Sequence, residues 1–199
     1  MVSTTDGDDV ASPRHDAAPA VGIAPILGRG DLPLALLHGE SLVVLATSAL
    51  ARAGVALLQP DMTWAAIREG GLTVVLHDPL CPLTPSSFIR EAIDAATESV
   101  AVVMGVRAVT DTIKTVSGDL VGETVDRDSL WTVTSPVVLP AAVVSALAVE
   151  PDLTDFAALV SSLREEFEVV FVEAPSLGRR IEDGSALLLL EAFAEVQRI

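Results

Sequence analysis

Short aliphatic runs alternate along this chain with stretches of helical spacing, and that alternation constrains its fold more than any other feature. The runs are Val21–Leu27, Val55–Leu58, Leu72–Leu76, Ala101–Val106 and Val169–Val172. Between them, Glu40–Ala53, Asp61–Arg68, Pro85–Ala96, Ala141–Ala148, Asp155–Phe167 and Asp183–Gln197 carry apolar residues at helical intervals. Strands that read as unbroken aliphatic runs are buried on both faces, as they are in parallel sheets covered by helices. The pattern predicts an α/β chain with a doubly wound, mostly parallel sheet. Half of the 199 residues are hydrophobic and only 4% are aromatic, so alanine, valine and leucine must fill the core. The length suits one domain, predicted over 21–199 behind a polar tail at 1–20.

Charge narrows the partners. Twenty-eight acidic residues against 12 basic ones give a formal net charge of −16, which repels nucleic acid and anionic membrane surfaces. Lys114 is the only lysine. Cys81 is the only cysteine, which excludes an intrachain disulfide and points to a reducing compartment. The tail lacks the apolar segment of a signal peptide. The longest apolar stretch, Ser41–Leu58, is interrupted by Arg52 and Gly54 and reads as helix then strand rather than as a membrane span. A cytoplasmic protein is expected.

In open parallel sheets, ligands sit beyond the carboxyl ends of the strands. Two places there carry chemistry: the loop Pro25–Leu34 after the first run, and His77-Asp78 at the end of Leu72–Leu76. A carboxylate at that edge suits Mg²⁺ bridging nucleotide phosphates, and it equally suits the capping of a turn. Gly28-x-Gly30 is by itself a weak phosphate-loop signal. Further on come Asp111-Thr112-Ile113-Lys114, Thr124-Val125-Asp126-Arg127, Leu130-Trp131 and Ser135-Pro136. In this order, after His77-Asp78-x-x-x-Pro82, the blocks resemble the methylerythritol-phosphate cytidylyltransferases of isoprenoid synthesis.

That resemblance implies a nucleotidyltransferase-type sheet with a projecting β-arm, here 108–128, through which two copies form a homodimer. It implies transfer of CMP from CTP to a polyol phosphate, with Mg²⁺ as cofactor. Residue by residue, it implies Asp78 as the metal ligand, and Pro25, Gly28 and Gly30 as the nucleotide loop. Arg29 and Arg180 stand where catalytic cations are expected. Thr112, Arg127, Ser135 and Thr154 stand where the acceptor is held, Arg127 reaching across from the partner's arm. The Ser117-Gly118-Asp119 turn fits a hairpin in that arm.

The departures fall on the CTP side. Leu34 follows Pro33 where the family has lysine, Cys81 replaces the arginine of HDAARP, and Val137 replaces the glutamine of TPQ. The segment that reads cytosine is missing between Leu58 and Leu72. One electrostatic contact to a transferring group supplies roughly 3–4 kcal/mol of transition-state stabilisation, so these losses predict weak or absent transfer. Two outcomes follow: a divergent enzyme acting on this or another sugar or polyol phosphate, or a non-catalytic dimeric homologue that binds a partner such as an active paralogue. Plainer roles exist for single residues. Arg127 can pair with Asp126, Asp128 or Glu123, Arg179 and Arg180 can balance Glu182 and Asp183, and a lone thiol such as Cys81 is ordinarily packing.

Overall fold

A computed structural model describes residues 19–109, 114–117, 120–124 and 130–196, with backbone only for 114–117, 120–124 and 196. Strand β1 (Ala20–Ile23) opens the sheet, so the expected tail gives up its last residue: Ala20 pairs with Thr73, and Pro19 O accepts from Thr73 N at 3.1 Å. After a 3₁₀ turn at Leu32–Leu34 come the short strands β2 (Leu36–Leu37) and β3 (Glu40–Ser41) and helix α1 (Leu42–Arg52). Then follow β4 (Ala56–Leu57), α2 (Trp64–Glu69), β5 (Thr73–Leu76) and α3 (Ser86–Ser99). Helix α2 starts at Trp64, later than the expected Asp61–Arg68, and is capped by Thr63, whose side chain accepts from Ala66 N. Between β4 and β5 the chain thus carries one short helix. It is tied to a segment far along the chain through Trp64 Nε1, which donates to Leu147 O at 3.1 Å, both residues packing on the same face of the sheet.

Strand β6 (Val102–Ala108) leads to a hairpin of β7 (Lys114–Ser117) and β8 (Leu120–Thr124), which forms its own two-stranded antiparallel sheet. The chain returns along β9 (Trp131–Leu139) and continues through α4 (Ala141–Ala146), α5 (Phe156–Leu163), β10 (Val169–Glu173) and α6 (Gly184–Val196). The main sheet has the order β10-β6-β9-β5-β1-β4. All its pairings are parallel except those of β9, which runs antiparallel to both β5 and β6. Among the described residues no crossover helix lies between β6 and β9, and β9 enters the sheet in the opposite direction; parallel neighbours are joined by a crossover, usually a helix.

Side chains alternate faces along each strand. Val74 and Leu76 pack on the side of α4 and α5, while Val75 packs with Leu50, Ile89 and Ile93 of α1 and α3. Val137, where the family pattern has glutamine, lies between Leu76 and Met104 and is fully buried; it is a core residue. A third cluster of Leu37, Leu42, Leu80, Ile181 and Leu190 fastens the β2–β3 hairpin and α6 around the loop that follows β5. Gly105 sits at an irregularity in the β6–β9 ladder, where an added Cβ would come within 2.7 Å of Ser135 O. Only glycine lets β9 carry Ser135 that close.

Candidate functional site

Strands β1 and β5 are parallel neighbours, so their outgoing loops meet at one sheet edge. From β5 comes Asp78, whose side chain is 4% exposed. Its Oδ1 accepts from Leu80 N at 3.0 Å and its backbone carbonyl from Cys81 N at 2.9 Å, which makes Asp78 the cap of the turn after the strand. From the β1 loop comes Arg29. Its Nε donates to Asp78 Oδ1 at 2.7 Å, and its Nη1 donates to Leu27 O at 2.8 Å and Leu153 O at 3.2 Å. The guanidinium lies 5.0 Å from the centre of the Phe156 ring, a stacked cation that adds about 0.5–2 kcal/mol. From the segment before α6 comes Arg180, whose Nε donates to Asp78 Oδ2 at 3.0 Å. Ile181, buried next to it, donates its N–H to Leu80 O at 2.7 Å. Burial of such a side chain stabilises by about 2 kcal/mol, which fastens the Arg180 backbone over Asp78.

Beneath this trio, Ser135 Oγ accepts from Asp78 N at 2.9 Å and meets His77 Nδ1. Either group can donate across that contact, according to the His77 tautomer, and the second imidazole nitrogen is Nε2. That atom is buried without a hydrogen-bond partner among the described residues. Burial lowers the His77 pKa from 6.5 to about 4, with the Asp78 charge opposing part of the fall, so His77 is neutral. Burial, reinforced by Asp78, pushes the Cys81 thiol well above its ordinary range, although Arg180 and Arg29 pull it partly back. Cys81 is an inert packing group.

Above the trio opens a cleft of about 460 Å³ lined by Gly28, Arg29, Asp78, Thr154, Phe156 and Arg180, among others. Gly28 has φ +79°, and a Cβ there would meet Thr154 at 2.9 Å; the backbone must be bare to reach this close. Of the expected site residues, the fold therefore brings together Gly28, Arg29, Asp78, Thr154 and Arg180. Pro25 lines a neighbouring hollow beside Ile26 and Leu27. Gly30 has φ +58° and nothing within 4 Å of its would-be side chain. Ser135 is fully buried, with its hydroxyl engaged below the cleft floor. Thr112 and Arg127 lie outside the described residues. Arg180 pairs with Asp78 and not with Glu182 or Asp183. Phe156 and Asp155, which also line the cleft, carried no signal beyond Asp155 preceding a helix.

At the cleft floor two guanidiniums face the Asp78 carboxylate, and Asp155 and Glu182 add two further carboxylates to the cleft lining. The guanidiniums are the groups in this site able to hold an anion such as a phosphate. The site does not suit Mg²⁺. Asp78 Oδ1 already accepts from two donors and Oδ2 from a third, both oxygens face guanidiniums, and no group of three His, Cys, Asp or Glu side chains able to hold a metal occurs among the described residues.

The sequence pattern of the family described as 2-C-methyl-D-erythritol 4-phosphate cytidylyltransferase matches residues 61–191. The match begins after the loop that carries Arg29. A relative of that name from Bacillus velezensis is 30% identical over 129 residues, which is 62% of this chain and 55% of the relative. One from Halorhodospira halophila is 28% identical over 227 residues, covering 90% of this chain and 93% of the relative. With the Bacillus relative the chain thus shares about half that protein's length, and with one from Geobacillus thermodenitrificans 30% of it. Among solved structures, the cytidylyltransferase of that name from Thermus thermophilus superposes with a TM-score of 0.64 at 20% identity, over 90% of this chain and 99% of the other. At that identity the superposition establishes a shared fold.

Proposed function

The chain belongs to the 2-C-methyl-D-erythritol 4-phosphate cytidylyltransferase family, and from that premise we propose that it keeps an anion-binding cleft while CMP transfer from CTP to methylerythritol phosphate is weak or lost. The observation that carries this reading is the closed trio. Arg29 spends its Nε on Asp78 and its Nη1 on two carbonyls, so the loop arginine is committed to the fold. The positions that resemblance assigns to the other gripping cations hold Leu34 and Cys81. Arg180, with 31% of its side chain exposed against 2% for Arg29, is the trio's more accessible cation, and it would orient a phosphate in the cleft. Transfer needs several preorganised charges around the α-phosphate, each supplying roughly 3–4 kcal/mol. One partly exposed guanidinium falls well short of that.

The homodimer through 108–128, and a role as partner to an active paralogue, belong to the same reading. The competing reading, a working divergent nucleotidyltransferase, draws support from the convergence of Gly28, Arg29, Asp78, Thr154 and Arg180 on one cleft. One pair of measurements decides: calorimetric titration of CTP with and without Mg²⁺, and pyrophosphate release in the presence of methylerythritol phosphate. The expected result is no release above background and no Mg²⁺-dependent CTP binding. Sustained turnover with micromolar CTP affinity would establish the enzyme instead.

A further inference from the structure

The segment that joins α4 to α5 has no helix or strand of its own, yet it is tied down from two other places. From α2, Trp64 Nε1 donates to Leu147 O at 3.1 Å and Arg68 Nη1 to Ala148 O at 3.5 Å. From the β1 loop, Arg29 Nη1 donates to Leu153 O at 3.2 Å. Pro151 fixes its own φ, and Asp152 Oδ1 accepts from Thr154 N at 2.9 Å. Backbone held at so many points does not fold back to hide its apolar side chains, and Val149 stands 77% exposed. In the neighbouring β1 loop, Ile26 and Leu27 are 50% and 74% exposed.

Two hollows open along this segment and share Pro151 and Asp152 as a common wall. One, of about 410 Å³, is bordered by Ile26, Leu27 and Leu153. The other, of about 300 Å³, is bordered by Leu147, Val149 and Leu159. The charged residues lining them are all acidic: Glu150, Asp152 and Asp155. Asp152 and Asp155 each engage backbone N–H groups through Oδ1, and none of the three forms an ion pair among the described residues. No cationic side chain lines either hollow, so a nucleotide or a phosphate finds no counter-charge there. An exposed apolar surface edged by polar groups marks a place of association, and a preformed one loses little entropy on binding. Carboxylates of one sign around it select the charge of what binds.

We infer that this groove docks a short basic helix of another protein, which sets one apolar side chain in each hollow and lysine or arginine against Glu150, Asp152 and Asp155. Adjacent hollows suit anchors one turn apart on a helix. The inference goes beyond the anion-binding cleft and rests on the proposed function only for the notion that the chain works through a protein partner.

The test is fluorescence anisotropy of a labelled leucine–lysine peptide with helical spacing, about 15 residues long, titrated with the full chain. The same peptide with glutamate in place of lysine is the control. Saturable binding of the lysine peptide with a dissociation constant below about 100 μM is expected, and none of the glutamate peptide. Val149→Ser should weaken binding about tenfold and Glu150→Gln about threefold; both side chains are exposed, so the fold tolerates the changes. In NMR spectra, amide signals of residues 24–27 and 147–163 should move on binding. Absence of saturation by roughly 1 mM, equal binding of the glutamate peptide, wild-type affinity in either variant, or shifts confined to other residues would overturn the inference. Pyrophosphate release with the groove still binding the lysine peptide would sink the proposed function alone. Absence of both release and peptide binding would sink this inference alone.

Discussion

At the residue scale, the site is a chain of dependencies running from a buried histidine to an arginine at the cleft. His77 meets Ser135, Ser135 holds the Asp78 backbone, and Asp78 holds Arg29 and Arg180. Asp78 was legible because a carboxylate directly after an aliphatic run must lie at the ligand edge. Its two arginine partners were legible only as candidates, since they stand 49 and 102 residues away. His77 yields a pH prediction. Its pKa is about 4 folded against 6.5 for the free side chain, so between those values the unfolded chain binds a proton that the folded chain does not. The resulting stability is complete above pH 6.5 and is lost as pH falls toward 4, by about 3 kcal/mol. Urea unfolding across this range should show the loss, and His77→Asn should remove that part of the slope. Parallel profiles for the two proteins would refute the assignment.

At the element scale, helix α5 shows how a local signal serves the site. Asp155 precedes it, and its Oδ1 accepts from Ala157 N at 2.8 Å and Ala158 N at 3.1 Å. That cap starts the helix where Phe156 falls beneath Arg29. Asp155→Ala should cost about 1 kcal/mol, seen as a melting temperature lower by roughly 2–4 °C, whereas Asp155→Ser should keep most of the stability. Equal melting of wild type and Asp155→Ala would show that the cap contributes nothing. Strand β9 makes the opposite point. Its antiparallel place between β5 and β6 depends on partners elsewhere in the chain. The Val137 core position follows from that placement.

At the scale of the whole molecule, the hairpin of Lys114–Ser117 and Leu120–Thr124 stands as a sheet of its own. A two-stranded hairpin is marginal in water unless something packs on it, which favours a second copy as its cover. Sedimentation of the full chain at micromolar concentration should therefore give a dimer, and replacing 109–129 by a short Gly-Ser linker should give a monomer; a monomeric full chain would refute the arm as an interface. No helix among the described residues is long and apolar enough to cross a membrane. The α/β class, most element positions and the carboxylate at the strand end were determined by the sequence alone, because periodicity and caps are local properties of neighbouring residues. Tertiary structure decided that Arg29 and Arg180 both close on Asp78, that Ser135 lies under the floor, and that Ile26, Leu27 and Leu153 border one hollow. Those outcomes depend on which loops the sheet order brings to one edge, and contacts between residues so distant in the chain leave no local pattern to read.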